Sequence, residues 1–188
     1  MKKFVILTIA IFATLISDAQ SNYQVLSSSI KFEIKNAGLT VDGSLGDARA
    51  NVIFDKNNLA NCFISAFVDS RTLTTNLDLR DYHIRQPAYF NIAKYPTMKM
   101  VSTKFVHIKD NYYKGYLKGI TKEVVVPFAI NEAGNKANLY GKFIVNRNDF
   151  DIGSNSSWVM SDDVNVEVEI KLLKDEYTVP STDTKFFN

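Results

Sequence analysis

Apolar and polar residues alternate along most of the chain. Ile30, Phe32 and Ile34 alternate with Lys31, Glu33 and Lys35. Val124, Val126, Phe128 and Ile130 share one side of a second segment. Leu139, Gly141, Phe143 and Val145 form a third set, and Val164, Val166, Val168, Ile170 and Leu172 a fourth. A period of two places each set on one face of an extended strand. Phe63 to Asp69 and Met98 to Phe105 also read as strands, with less regular alternation. Turn signals separate them: Asp55-Lys56-Asn57-Asn58, Asp110-Asn111 and Glu132-Ala133-Gly134-Asn135. About eight strands between Ile30 and Leu172 predict an all-β sandwich or barrel.

Two stretches break this pattern. Leu77 to Tyr95 carries Tyr82, Tyr89, Phe90 and Ile92 without alternation. Pro87 suits the first position of a short helix, and Tyr95-Pro96 should end it, so a helical insertion is expected there. The other is at the start, where Lys2 and Lys3 precede a mainly apolar run from Phe4 to Ile16 and then Ser17-Asp18-Ala19. That order is the order of a secretory signal peptide cleaved after Ala19. The run is well short of the roughly 20 residues that cross a bilayer. The expected organisation is a signal peptide at 1–19, one domain at 20–173, and a loosely docked tail at 174–188 containing Pro180, Ser181 and Thr182. The expected location is periplasmic or secreted, without stable membrane insertion.

Composition narrows the function. Loss of Lys2, Lys3 and Asp18 on cleavage takes the net charge from +2 to +1, too little for a protein that tracks phosphates. No nucleic-acid partner is therefore expected. The single cysteine, Cys62, excludes a disulfide framework, and two histidines make a His-built metal centre a poor fit. Cys62 reads as a small hydrophobe and not as a reactive thiol. No metal and no cofactor are expected.

The densest polar cluster is Arg80-Asp81-Tyr82-His83-Ile84-Arg85. It reads as a structural ion-pair and hydrogen-bond knot, as an anion or head-group site, or as a His–Asp acid–base pair. No nucleophile accompanies it: there is no G-x-S-x-G elbow, and Cys62 lacks a Gly-rich neighbour. No catalytic residue is assigned, and the protein is not expected to be an enzyme. Asn146 to Gly153 has acidic residues, but Asp151 and Ser157 stand where a calcium loop needs Gly and Glu. It reads as a strand end and turn, with Arg147 in a salt bridge. Asn155-Ser156-Ser157 fits the N-glycosylation sequon, a weak motif.

Once Phe4 and Phe12 are removed, 11 Phe, 9 Tyr and 1 Trp remain, many at inward strand positions. A barrel of about eight strands either fills itself with side chains or encloses one small ligand. Alternation alone leaves both readings open.

The ordered motifs resemble those of the YceI-like family of exported, lipocalin-like polyisoprenoid-binding proteins. The resemblance begins with Ile30-Lys31-Phe32-Glu33-Ile34, Val41-Asp42-Gly43 and Phe54-Asp55. It continues through Arg80-Asp81-Tyr82-His83-Ile84, Tyr89-Phe90, Lys94-Tyr95-Pro96 and Ser102-Thr103. Leu117-Lys118-Gly119-Ile120-Thr121-Lys122 is similar to the family's I-K-G-V-T-K segment. Asn146-Arg147, Asp149-Phe150, Ile152-Gly153 and Ser161-Asp162-x-Val164 complete it. Gly115 and Tyr116 stand where the family usually has Leu-Thr, and Thr72 where it usually has Ser. The first departure changes side-chain volume on a barrel strand and bears on ligand length.

The resemblance implies an antiparallel lipocalin-like β-barrel with a short helical insertion. It also implies an apolar pocket for an isoprenoid, such as a quinone or polyprenyl phosphate, or a similar long-chain lipid. Alternation assigns Phe32, Ile34, Val126, Phe128 and Phe143 to the pocket. It also assigns Val145, Val166 and Val168, with Met98 and Met100 as adaptable walls. Arg80, His83 and Arg147 are the candidate head-group contacts. The alternative is a filled barrel acting in envelope stress through its outer surface, with no internal ligand. A homodimer is left open in either case.

Overall fold

The computed structural model describes residues 21–119, 122–153 and 159–175. Nine antiparallel strands follow one another: β1 (Ser21–Asn36), β2 (Leu39–Leu45), β3 (Arg49–Phe54), β4 (Phe63–Asp69), β5 (Thr97–Lys109), β6 (Tyr112–Lys118), β7 (Glu123–Ala133), β8 (Lys136–Asn146) and β9 (Met160–Lys174). The hydrogen-bonded order is β2-β1-β3-β4-β5-β6-β7-β8-β9, and β9 returns to pair with β1. The sheet thus closes, which removes the free edges an open sheet would leave.

The closed ring has eight positions, because β2 and β3 share one side of β1. β2 pairs with Ile30 to Asn36 of β1, and β3 with Ser21 to Tyr23. β1 is long enough for both because it begins nine residues before the alternating run read from sequence. Its register against β9 shifts between Val25 and Ser27. A bulge of this kind offsets the inward set by one residue. Tyr23 and Val25 below the bulge therefore share the interior with Ile30, Phe32 and Ile34 above it.

β4 and β5 are joined by residues 70–96, which lie at one end of the barrel. Ser70 N–H donates to the Pro96 carbonyl at 2.9 Å, and Ser44 and Thr74 form an isolated bridge to β2. The one α-helix among the described residues, α1, spans Asp78–Ile84. This corrects the expected helix beginning at Pro87. Asp78 and Asp81 lie in the first turn, where carboxylates complement the helix dipole. Pro87 falls in the turns beyond the helix end, because the residue before a proline is steered out of the helical region.

Leu73, Val68 and Ala48 are buried at this end, and the main buried cluster lies at the other. Tyr23, Val52, Phe54, Ile64, Phe105, Tyr113, Phe128, Ile130, Ala137, Leu139, Ile170 and Leu172 are all buried and form one cluster. The 1–19 segment, the residues after Asp175 and the Asn155 sequon lie outside the described residues. No helix among the described residues is long and apolar enough to cross a membrane.

Candidate functional site

Strand register brings most of the expected pocket residues together. Phe32 of β1 pairs with Val166 of β9, which pairs with Phe143 of β8. One step further, Ile34 pairs with Val164, and Val164 with Val145. One step in the other direction, Ile30 pairs with Val168, and Val168 with Gly141. Paired residues share a face of the sheet, so these rows cross the same stretch of inner wall. Met98 and Met100 of β5 pair with Val68 and Ala66 of β4 on the inner wall.

Burial divides the barrel in two. Phe32, Ile34, Met98, Met100, Phe143, Val145, Val166 and Val168 are only half-buried although they face inward. These inward apolar side chains keep more exposed surface than the fully buried cluster at the other end. Ile30, Val41, Leu45, Leu117 and Val164 share this state. β2 and Leu117 are not among the pocket residues that alternation assigned, although Val41-x-Gly43-x-Leu45 carries the alternation. Val126 is 9% exposed and Phe128 only 3%. Phe128 belongs to the packed end, as part of its floor.

That floor is aromatic. Phe54 from β3 meets Phe105 of β5, Tyr113 of β6 and Phe128 of β7 with ring centroids 6.2, 5.0 and 6.0 Å apart, all edge-to-face. Phe105 and Phe128 are also edge-to-face at 6.1 Å, and Tyr113 stacks on Phe128 at 5.7 Å. These geometries place ring edges on ring faces and add to the hydrophobic gain of burial. Two glycines shape the interior. A Cβ on Gly115 would lie 2.9 Å from Leu117 and 3.2 Å from the Phe105 ring. A Cβ on Gly43 would run into the Phe32 ring, which lies over the Gly43 backbone. At both positions the absent side chain makes room for a neighbour facing the interior.

The polar cluster is a knot around Asp81. This buried carboxylate accepts from the Thr74 hydroxyl at 2.6 Å, the Thr75 N–H at 2.7 Å and the Thr75 hydroxyl. Burial alone would raise its pKa. The three hydrogen bonds and the Arg85 charge outweigh it, and the carboxyl titrates below its ordinary value. Arg85 donates to the Leu73 carbonyl at 2.7 Å, and Arg80 donates to the Thr75 hydroxyl and carbonyl at 2.7 and 2.8 Å. The knot fastens α1 to the strand-end segment 73–75. His83 is exposed on α1, beside Tyr82.

Arg147 forms a separate knot at the same end of the barrel, where the Gly153 N–H donates to the Ala88 carbonyl at 2.9 Å. Arg147 is 5% exposed and donates to the Ser161, Ile152 and Gly153 carbonyls at 2.9, 3.0 and 2.6 Å, and to Asp162 at 2.9 Å. Its guanidinium pins the turn after β8 to the start of β9. Cys62 is half-buried, and its thiol contacts the Asp55 backbone at 3.2 and 3.3 Å. Burial pushes that thiol up, away from the reactive thiolate. Among the described residues, no three His, Cys, Asp or Glu side chains are placed to share a metal ion.

Known proteins of this shape place the fold. BcnA of Burkholderia cenocepacia superposes with a TM-score of 0.72 at 18% identity, covering 77% of this chain and 95% of that one. The Campylobacter jejuni YceI protein gives 0.64 at 25% identity over 72% and 86% of the two chains. A polyisoprenoid-binding domain from Saccharophagus degradans gives 0.61 at 11% identity over 81% and 98%. In sequence, a UPF0312 protein of Yersinia pestis is 30% identical over 110 residues, 56% of this chain. That match spans 57% of the length of the Yersinia relative. The barrel is of a kind consistent with holding a lipid or other hydrophobic ligand. The YceI-like domain family matches residues 23–172, nearly the whole described barrel, and the chain belongs to that family.

Proposed function

We propose that the protein is an exported binding protein, not an enzyme. It would hold the chain of an isoprenoid, such as a quinone or polyprenyl phosphate, or of a similar long-chain lipid. The observation that carries this reading is the row of inward, apolar, half-buried side chains above a packed aromatic floor. Apolar surface left open inside a barrel is stabilised by any apolar chain that displaces water from it, by roughly 0.8 kcal/mol per CH₂. The polar cluster around α1 carries Arg80, which donates to Thr75, and the exposed His83; in this reading His83 would be the group free to meet a head group. The likeness in fold to the polyisoprenoid-binding domain from Saccharophagus degradans supports the isoprenoid choice, and the leader-like first 19 residues support export.

The test is direct. Protein purified without detergent is extracted with organic solvent, and the extract and the intact protein are weighed by mass spectrometry. One lipid per chain is expected. Delipidated protein that carries no lipid and takes up none from an isoprenoid mixture would end this reading. It would favour the filled-barrel interaction module, for which the exposed Tyr112, Val125, Tyr140 and Ile144 on the outer wall would supply the contact surface.

A further inference from the structure

The two halves of the barrel interior differ in how fully their apolar side chains are buried. We propose that the ring cluster Phe54, Phe105, Tyr113 and Phe128 is a length gauge that admits about three isoprene units and stops the chain there. This deepens the lipid-binding reading and rests on it.

The four rings come from four different strands and meet across the interior at 5.0 to 6.2 Å. Each of the four residues is no more than 6% exposed, which leaves no water-sized space among them. Ile170 and Leu172 on β9 and Tyr23 on β1 belong to the same cluster, so the plug reaches the opposite wall. Above it, Val164, Val166 and Val168 are half-buried, whereas Ile170 is 7% exposed and Leu172 fully buried. The open chamber therefore runs from Val164 to Ile170. At about 3.3 Å per residue, with strands tilted near 40°, that stretch is about 15 Å deep. A zigzag of carbon–carbon bonds of ~1.5 Å advances about 1.3 Å per carbon, so about twelve backbone carbons reach the floor. That is three isoprene units; the rest of a longer chain stays outside. Gly115 helps set the limit, since the space a side chain would fill there is held by Phe105 and Leu117.

A series of prenyl alcohols with two, three, four, six and nine units, titrated onto intact delipidated protein, tests the gauge. Each buried carbon is worth about fourfold in affinity. Affinity should rise at least tenfold from two to three units and then stay within about threefold through nine. Phe128→Ala should move the plateau to about four units. Phe105→Leu, a milder change, should lower discrimination between three and four units if Phe128→Ala does not fold. Affinity of the unaltered protein that climbs tenfold per unit beyond four would overturn the gauge and leave lipid binding standing. Absence of binding at every length would overturn both.

Discussion

At the residue scale, Asp81 shows how a cluster legible in sequence acquires its role only in three dimensions. Its spacing from Arg80 and His83 admitted a knot, a head-group site or an acid–base pair. What decides is Thr74 and Thr75, whose N–H and hydroxyls surround the carboxylate and carry no motif of their own. Arg147 makes the same point: its partners are backbone carbonyls, which no sequence pattern displays. The Asp81 carboxyl titrates below its unfolded value, so the folded state binds the proton more weakly than the unfolded state. The stabilisation is then complete above the unfolded carboxylate value near 3.9 and is lost as pH falls through the lower folded value. Asp81→Asn should lower the urea midpoint at pH 7 and flatten its fall as the pH drops below about 4. Identical acid limbs in the two proteins would show that the carboxylate contributes no such linkage.

At the element scale, alternation located strands wherever the inward set ran unbroken, as in β7, β8 and β9. It missed the first nine residues of β1 because the bulge before Ser27 reverses which residues face inward. It misplaced the helix because Pro87 is as compatible with a turn after a helix as with a helix start. The β1–β2 hairpin holds a further local conflict. Ala37 and Gly38 both have positive φ, 50° and 79°, in a two-residue turn between Asn36 and Leu39. That geometry favours Asn-Gly, and an alanine there carries roughly 1 kcal/mol of steric cost. Ala37→Asn should stabilise the protein by about 1 kcal/mol, raising the Tm by roughly 2–4 °C. The Ala37 N–H, which donates to Val159 at 2.9 Å, is retained in the variant. An unchanged or lower Tm by calorimetry would mean the turn is not strained at this position.

At the scale of the whole molecule, the barrel combines a tightly buried end and a less buried one, built from one repeating pattern. Val166 and Ile170 occupy equivalent positions in the alternation of β9, yet one is half-buried and the other buried. The difference comes from what stands across the barrel: four aromatic rings at one level, and smaller or set-back side chains at the other. Pattern along a strand cannot report what lies opposite it across a closed sheet, which is why wall and pocket were indistinguishable from alternation. The distinction is open to a whole-barrel test that needs no knowledge of the ligand. Met100→Trp adds a large apolar side chain to the open chamber. In a filled core such overpacking costs typically 1–3 kcal/mol. In an open chamber the added ring buries apolar surface without displacing neighbours, so the urea midpoint should hold or rise. The same ring occupies ligand space, so prenyl alcohol affinity should fall at least tenfold. A destabilised variant would mean that Met100 lines packed core, and a stable variant with undiminished affinity would place the ligand outside this chamber.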